Sequence, residues 1–94
     1  MDAGELVRAG AAAAQLLESE DFKLGLEAVR AQAFQSWAST QPEQAKEREE
    51  FYFLLLATNK LELYFRQLAE GGRYEERKAA EKDKRAQQPT GDYA

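Results

Sequence analysis

One run of seven apolar residues constrains the fold of this chain more than any other feature. Residues 51–57 read Phe-Tyr-Phe-Leu-Leu-Leu-Ala, inside a segment whose apolar spacing is helical. Seven consecutive residues point in every direction around a helix, so that at this level no side is left for water. A chain of 94 residues has little material to bury such a helix alone. The run therefore predicts packing against a second copy or a partner protein.

The residue types present argue against an enzyme. The chain has no Cys and no His, so it lacks thiol chemistry, the commonest general base and the commonest transition-metal ligand. Glu43, Glu47 and Glu50 share one side of a predicted helix, where paired carboxylates can divide acid and base roles. Interleaved Lys46 and Arg48, and a position at a helix start, favour a solvated face instead. We expect no catalytic residue, no metal site and no cofactor.

Capping signals predict the first two helices. Asp2 and Glu5 form a capping box that begins a helix over residues 3–18, and its small-residue patch over residues 10–14 predicts a close helix crossing. Ser19, followed by two acidic residues, is the predicted N-cap of a helix over residues 20–38.

The third helix is predicted to be long. Thr40 and Glu43 form a second capping box, with Pro42 in the first turn, and the helix is expected to run over residues 41–70 and end at the glycine pair 71–72. The tight connection predicts an antiparallel hairpin with helix two. At ~1.5 Å per residue, helix three spans about 45 Å and helix two about 27 Å. The fold class is therefore all-α: three helices dominated by this hairpin, with an overhang left for helix one, a partner or water.

Two apolar rows follow the third helix. The first alternates by three and four residues, as in a short coiled coil, and comprises Phe51, Leu54, Thr58, Leu61, Phe65 and Leu68. The second comprises Tyr52, Leu55, Leu56, Leu63 and Tyr64. Because one seam needs no second flank, we expect a homo-oligomer, with a dimer as the default on symmetry grounds. The predicted interface residues are Phe51, Phe53, Leu54, Leu61, Phe65 and Leu68.

Some residues in these rows have two interpretations. Asn59 either pairs with its counterpart across a symmetric interface or faces solvent. Trp37, Tyr52 and Tyr64 could contact a ligand, but their positions on the apolar stripes favour packing in a core or an interface.

The last part of the chain has a different charge from the rest. Residues 1–72 form the predicted helical domain, and residues 73–94 form a charged extension, helical or frayed, with six basic and five acidic residues for a net charge of +1. The candidate nucleic-acid contacts are Arg73, Arg77, Lys78, Lys82, Lys84 and Arg85. Such contacts would make binding salt-dependent. The interleaved acidic residues and the overall charge of −4 favour a solubilising extension instead.

The segment over residues 34–40, the acidic helix start over residues 47–49 and the leucine-rich stretch to Leu68 resemble small helical proteins of tailed bacteriophages and prophages. Such proteins are usually encoded among DNA-packaging and head-morphogenesis genes. The resemblance covers residues 16–72, and its motifs are structural, so no functional residue is carried over.

The excess apolar width of helix three predicts a non-enzymatic assembly protein. The resemblance implies a phage structural or morphogenesis factor, with other phage structural proteins as partners. The alternative is a nucleic-acid-associated adaptor, a packaging or regulatory component that uses the basic extension. No stretch approaches the roughly 20 apolar residues that span a bilayer, and no secretory signal is recognised, so we expect no membrane partner. The expected location is the cytoplasm of the host cell or the virion.

Overall fold

The computed structural model describes residues 1–87 and contains α1 (Ala3–Glu18), α2 (Glu20–Ala38) and α3 (Ala45–Gln87), with no strand in that range. The all-α prediction is confirmed, and so are the bounds of the first two helices. Asp2 Oδ1 accepts a hydrogen bond from the backbone N–H of Glu5 at 2.8 Å. Ser19 Oγ accepts one from the N–H of Phe22 at 3.3 Å. Each side chain satisfies an N–H that the first helical turn leaves unpaired.

The three helices form a rod two helices thick. α1 packs on the C-terminal half of α3 and α2 on its N-terminal half, whereas α1 and α2 barely touch. Phe22 at the start of α2 contacts Phe65, and Trp37 at its end contacts Arg48, so α2 runs antiparallel to α3. The molecule measures 81 × 25 × 18 Å. The predicted hairpin is therefore present, and the overhang of its long helix is covered by the chain's own α1.

The prediction that the third helix ends at the glycine pair is wrong, because α3 continues through it to Gln87. Gly72 lies against Gly10 of α1: a Cβ built on Gly72 would be 2.9 Å from the Gly10 Cα, and one built on Gly10 would be 2.8 Å from the Gly72 Cα. A glycine inside a helix costs about 1 kcal/mol relative to alanine. Here it permits the backbones to meet, which confirms the close crossing predicted from the small-residue patch.

The predicted start of the third helix is also wrong, because α3 begins at Ala45. The Thr40 hydroxyl donates to the carbonyl of Trp37 at 2.6 Å, so it serves the end of α2 and does not cap α3. The N–H of Gln41 donates to Gln44 Oε1 at 2.8 Å. Residues 40–44, including Pro42, therefore form the turn between the two arms of the hairpin.

Arg48 ties this turn to α2. Its guanidinium carbon lies 4.4 Å from the centroid of the Trp37 ring, and its Nη1 donates to Thr40 Oγ1 at 3.0 Å. Arg48→Ala should lower the free energy of unfolding by about 1 kcal/mol and change the emission of Trp37, the only tryptophan. Arg48→Lys keeps the charge but loses the planar stack, so it should recover only part of the stability. If the Arg48→Ala variant had the same unfolding free energy and the same Trp37 emission as the wild type, this role of Arg48 would be contradicted.

The core of the rod is narrow. Its buried apolar side chains are Ala13, Leu26, Ala33 and Ala69, and no large side chain within residues 1–87 is fully buried. Thr58 is buried among them, and its hydroxyl donates to the Leu54 carbonyl at 2.9 Å. Small residues allow close helices, but they leave the larger apolar side chains at the edges of the contact or on the surface.

Candidate interaction surface

Three of the six predicted interface residues are exposed on α3. The exposed fractions are 55% for Phe53, 45% for Leu54 and 48% for Leu61, and the neighbouring Tyr64 is 53% exposed. Large apolar residues are individually common on surfaces, but a contiguous group of them marks an interaction site.

The other three predicted interface residues are half-buried within the chain. Phe65 packs edge-to-face on Phe22 with ring centroids 5.7 Å apart. Phe51 faces the end of α2, and the backbone carbonyl of Leu68 lies beneath Gly10 of α1. The single predicted seam is thus divided between contacts made inside the hairpin and a row left open beside it.

Leu54, Leu61 and Tyr64 lie on one side of the hairpin, and Phe53 is turned by about 100° from Leu54 toward the back of α3. Arg30 of α2 and Glu62 of α3 meet on the opposite side. The residues just before them, Val29 and Leu61, are turned by about 100° around each helix and so lie on the other side. This apolar side, here called the open face, is formed by Leu54, Ala57, Leu61 and Tyr64 of α3 and by Gly25, Val29 and Gln32 of α2. All seven are exposed.

The polar side of the hairpin is held by a charged cluster. Arg30 donates through Nε to Asn59 Oδ1 at 2.9 Å and through Nη2 to the Glu62 carboxylate, which also accepts from Arg66 Nη2 at 2.6 Å. Asn59 is exposed, and its side chain is engaged by its own chain. The hydrogen bonds from Arg30 and then Arg66 hold the pKa of Glu62 below its ordinary value of 4.5.

This lowered pKa gives the charged cluster a defined pH dependence. Because the carboxylate is favoured in the folded state, its contribution is present above the unfolded pKa and is lost as the pH falls through the lower folded pKa. Glu62→Gln should therefore reduce the difference between unfolding free energies measured at pH 6 and at pH 2–3. Glu49→Gln is the matched control, because it removes one exposed carboxylate from the same helix outside the charged cluster. If the Glu62→Gln variant showed the same difference between these two unfolding free energies as the wild type, the charged cluster would not contribute to stability.

An aromatic cleft of about 200 Å³ lies near the turn of the hairpin. It is lined by Ala33, Phe34, Trp37, Phe51, Tyr52 and Leu55. Trp37 also packs on Phe34 with ring centroids 6.1 Å apart. The cleft has almost no polar lining to orient a ligand, and Phe34, Trp37 and Tyr52 are exposed around it.

The basic residues of the predicted extension all belong to α3 and do not form one stripe. Arg73, Arg77 and Lys84 share one side by helical spacing, and Lys78, Lys82 and Arg85 share another. Lys78 pairs with Glu75 at 3.6 Å and Arg85 with Glu81 at 3.4 Å. Paired acids and a split distribution weaken the field that a phosphate backbone would meet.

Within residues 1–87, no three acidic side chains are grouped to hold a metal ion. None of the three helices described has an apolar stretch that could cross a membrane. Comparisons with protein-family models, with curated proteins and with solved structures found no match to this chain.

The predictions from sequence do not include the α2 contribution to the open face. No motif singles out Gly25, Val29 or Gln32, which recur every three or four residues beside the stripe that packs on α3. Such a row is hard to recognise in advance because glycine and glutamine add no apolar side chain to the pattern.

Proposed function

We propose that this protein is a non-enzymatic helical assembly protein that self-associates through its open face. The observation that carries the proposal is the row of Leu54, Leu61 and Tyr64, each about half exposed on a long, rigid helix. The rod is only two helices thick, and the helices described over residues 1–87 leave that row uncovered. Apolar surface removed from water contributes roughly 25 cal/mol per Å², and self-association is the simplest way to remove it.

Molar mass by light scattering across a concentration series, at low and high salt, tests this proposal. We expect a mass at a multiple of 10.6 kDa that persists at high salt, because salt screens charges but does not weaken apolar contacts. A monomer at every concentration would contradict self-association.

Leu61→Asp locates the surface. A charge in the centre of the open face should raise the dissociation constant at least ~100-fold, on the order of 3 kcal/mol, while the helical circular dichroism is retained. The matched control is Leu63→Asp, the same change at a residue that is 52% exposed on the back of α3. If Leu63→Asp dissociated the oligomer and Leu61→Asp did not, the interface would lie on the back of α3.

The resemblance to small phage proteins supports a finer version of the proposal, a structural or morphogenesis factor of a tailed phage. Self-association through helix faces suits such a role, because repeated assembly needs a surface shared by all copies. Detection of this chain, by mass spectrometry, in purified heads or in assembly intermediates would support that role. Its absence from both would leave an assembly protein that works elsewhere.

A further inference from the structure

Packing within residues 1–87 does not explain Gly25. It lies inside α2, where glycine is less favourable than alanine. A Cβ built on Gly25 meets no atom of residues 1–87 within 4 Å, in contrast to Gly10 and Gly72, which touch each other. The missing side chain therefore leaves a shallow depression on the open face.

The depression lies beside the largest side chains of the same face. Phe22 contacts Phe65 and Arg30 contacts Asn59, so the α2 residues between 22 and 30 lie level with α3 residues between 65 and 59. Gly25 is consequently at the height of Leu61 and Tyr64. The open face thus carries a raised row on α3 and, at the same height on α2, the depression at Gly25.

We propose that the partner of this face is a second copy, related by a two-fold axis parallel to the rod. This rests on the proposed self-association. The rotation keeps heights unchanged and places α3 of each chain opposite α2 of the other. Leu61 and Tyr64 then enter the depression at Gly25 and Val29 of the partner subunit, and the reverse contact forms by symmetry. All neighbouring helices are antiparallel, which is the arrangement of an up-down four-helix bundle.

A two-fold axis perpendicular to the rod makes a poorer fit. It would oppose α3 with α3 and α2 with α2, so that the raised rows collide and the depressions at Gly25 stay unfilled. Voids in an interface forfeit dispersion contacts, and large side chains forced together leave their preferred rotamers. Of the two arrangements, the parallel axis is the one that places the raised row of one copy on the depression of the other.

The exposed apolar area of two copies is near the size of a small specific interface. Leu54, Leu61 and Tyr64 are each about half exposed, and at roughly 200 Å² per side chain they offer about 300 Å² per chain. Val29, Ala57 and the smaller residues of the open face add to this area, so that two copies approach the ~1,000 Å² in total of the smallest specific interfaces.

Filling the depression tests the geometry. Gly25→Leu in the full chain should raise the dimer dissociation constant at least 10-fold in sedimentation velocity, because the new side chain occupies the place of Leu61 or Tyr64 of the partner subunit. The isolated fold should tolerate it, since the space is open and leucine favours helix. Ala31→Leu is the matched control: Ala31 is exposed on α2 away from the open face, so dimerisation should be unchanged. A Gly25→Leu dimer as tight as the wild type would overturn the proposal.

Cysteine cross-linking tests the orientation, because the natural chain has no Cys. Gly25→Cys chains mixed with Leu61→Cys chains should form a disulfide-linked heterodimer under mild oxidation, faster than either variant forms its own homodimer. Faster self-linking of Leu61→Cys would show α3 on α3 and overturn the parallel axis. Loss of association in Leu61→Asp, together with no effect of Gly25→Leu, would leave the self-association standing and remove only this geometry.

Discussion

Gly72→Ala should lower the free energy of unfolding by about 2 kcal/mol. The added Cβ would lie 2.9 Å from the Gly10 Cα and 3.0 Å from the Leu6 carbonyl oxygen, and both are backbone atoms that move only with α1. Because both contacts are with backbone atoms, we expect the upper value for overpacking, about 3 kcal/mol. The helix preference of alanine returns ~1 kcal/mol, so that a net loss of about 2 kcal/mol remains. For a chain of this length, the melting temperature should fall by roughly 10 °C.

The neighbouring glycine supplies the matched control. A Cβ on Gly71 would meet only the Leu6 side chain at 3.6 Å, an ordinary van der Waals distance. Gly71→Ala should therefore stabilise the fold by up to about 1 kcal/mol. Urea denaturation of both variants at one protein concentration, followed by circular dichroism, measures the difference, since self-association makes stability depend on concentration. If Gly72→Ala and Gly71→Ala raised the free energy of unfolding equally, the close contact between α1 and α3 would be contradicted.

A chain ending at Gly72 should lose the ordered start of α1. Ala3 shares a groove with Lys78 and Lys82 of α3, and Val7 lies near Glu76 beside the glycine contact. Without this part of α3, the first two turns of α1 have no surface to pack on, and a short unsupported helix is marginal in water. The helical signal should fall by more than the removed residues alone account for.

Hydrogen exchange at the α1 amides measures this effect directly. We expect protection over residues 6–10 to fall at least ~10-fold in the shortened chain, whereas α2 amides near Leu26 keep theirs. A chain ending at Gln87 is the control, because it retains the whole of α3. Unchanged protection of α1 after truncation at Gly72 would show that residues 73–87 do not support it.

Because residues 73–87 support α1, truncation is a poor test of nucleic-acid contact by the basic residues. Deleting residues 73–94 would remove folded structure together with charge, so any loss of binding would have two causes. Replacing Arg73, Arg77 and Lys84 by Gln removes charge from one side of α3 while preserving the helix. The adaptor interpretation expects salt-dependent DNA binding that weakens in this variant. The same substitutions made at Lys78, Lys82 and Arg85 would report on the other side.

Local signals in the sequence were sufficient for part of the fold. The Asp2 and Ser19 caps determine where α1 and α2 begin, because a side-chain oxygen next to an unpaired N–H is a short-range interaction. The signals around Thr40 and Gly72 are equally clear, but they predict the wrong start and the wrong end of α3. A hydroxyl can serve either of two adjacent helix ends, and a glycine can end a helix or admit a second backbone.

The candidate surface is likewise predicted in part by local sequence signals and in part set by contacts between distant residues. Helical periodicity is enough to predict that α3 carries more apolar width than one hairpin contact can bury. Which side of α3 stays open depends on where α2 and α1 lie along it, and this is a property of the packed helices. Their placement comes from the fit of Gly10 on Gly72 and of Phe22 on Phe65, between residues more than 40 positions apart. Such contacts depend on three-dimensional complementarity, and no local pattern encodes it.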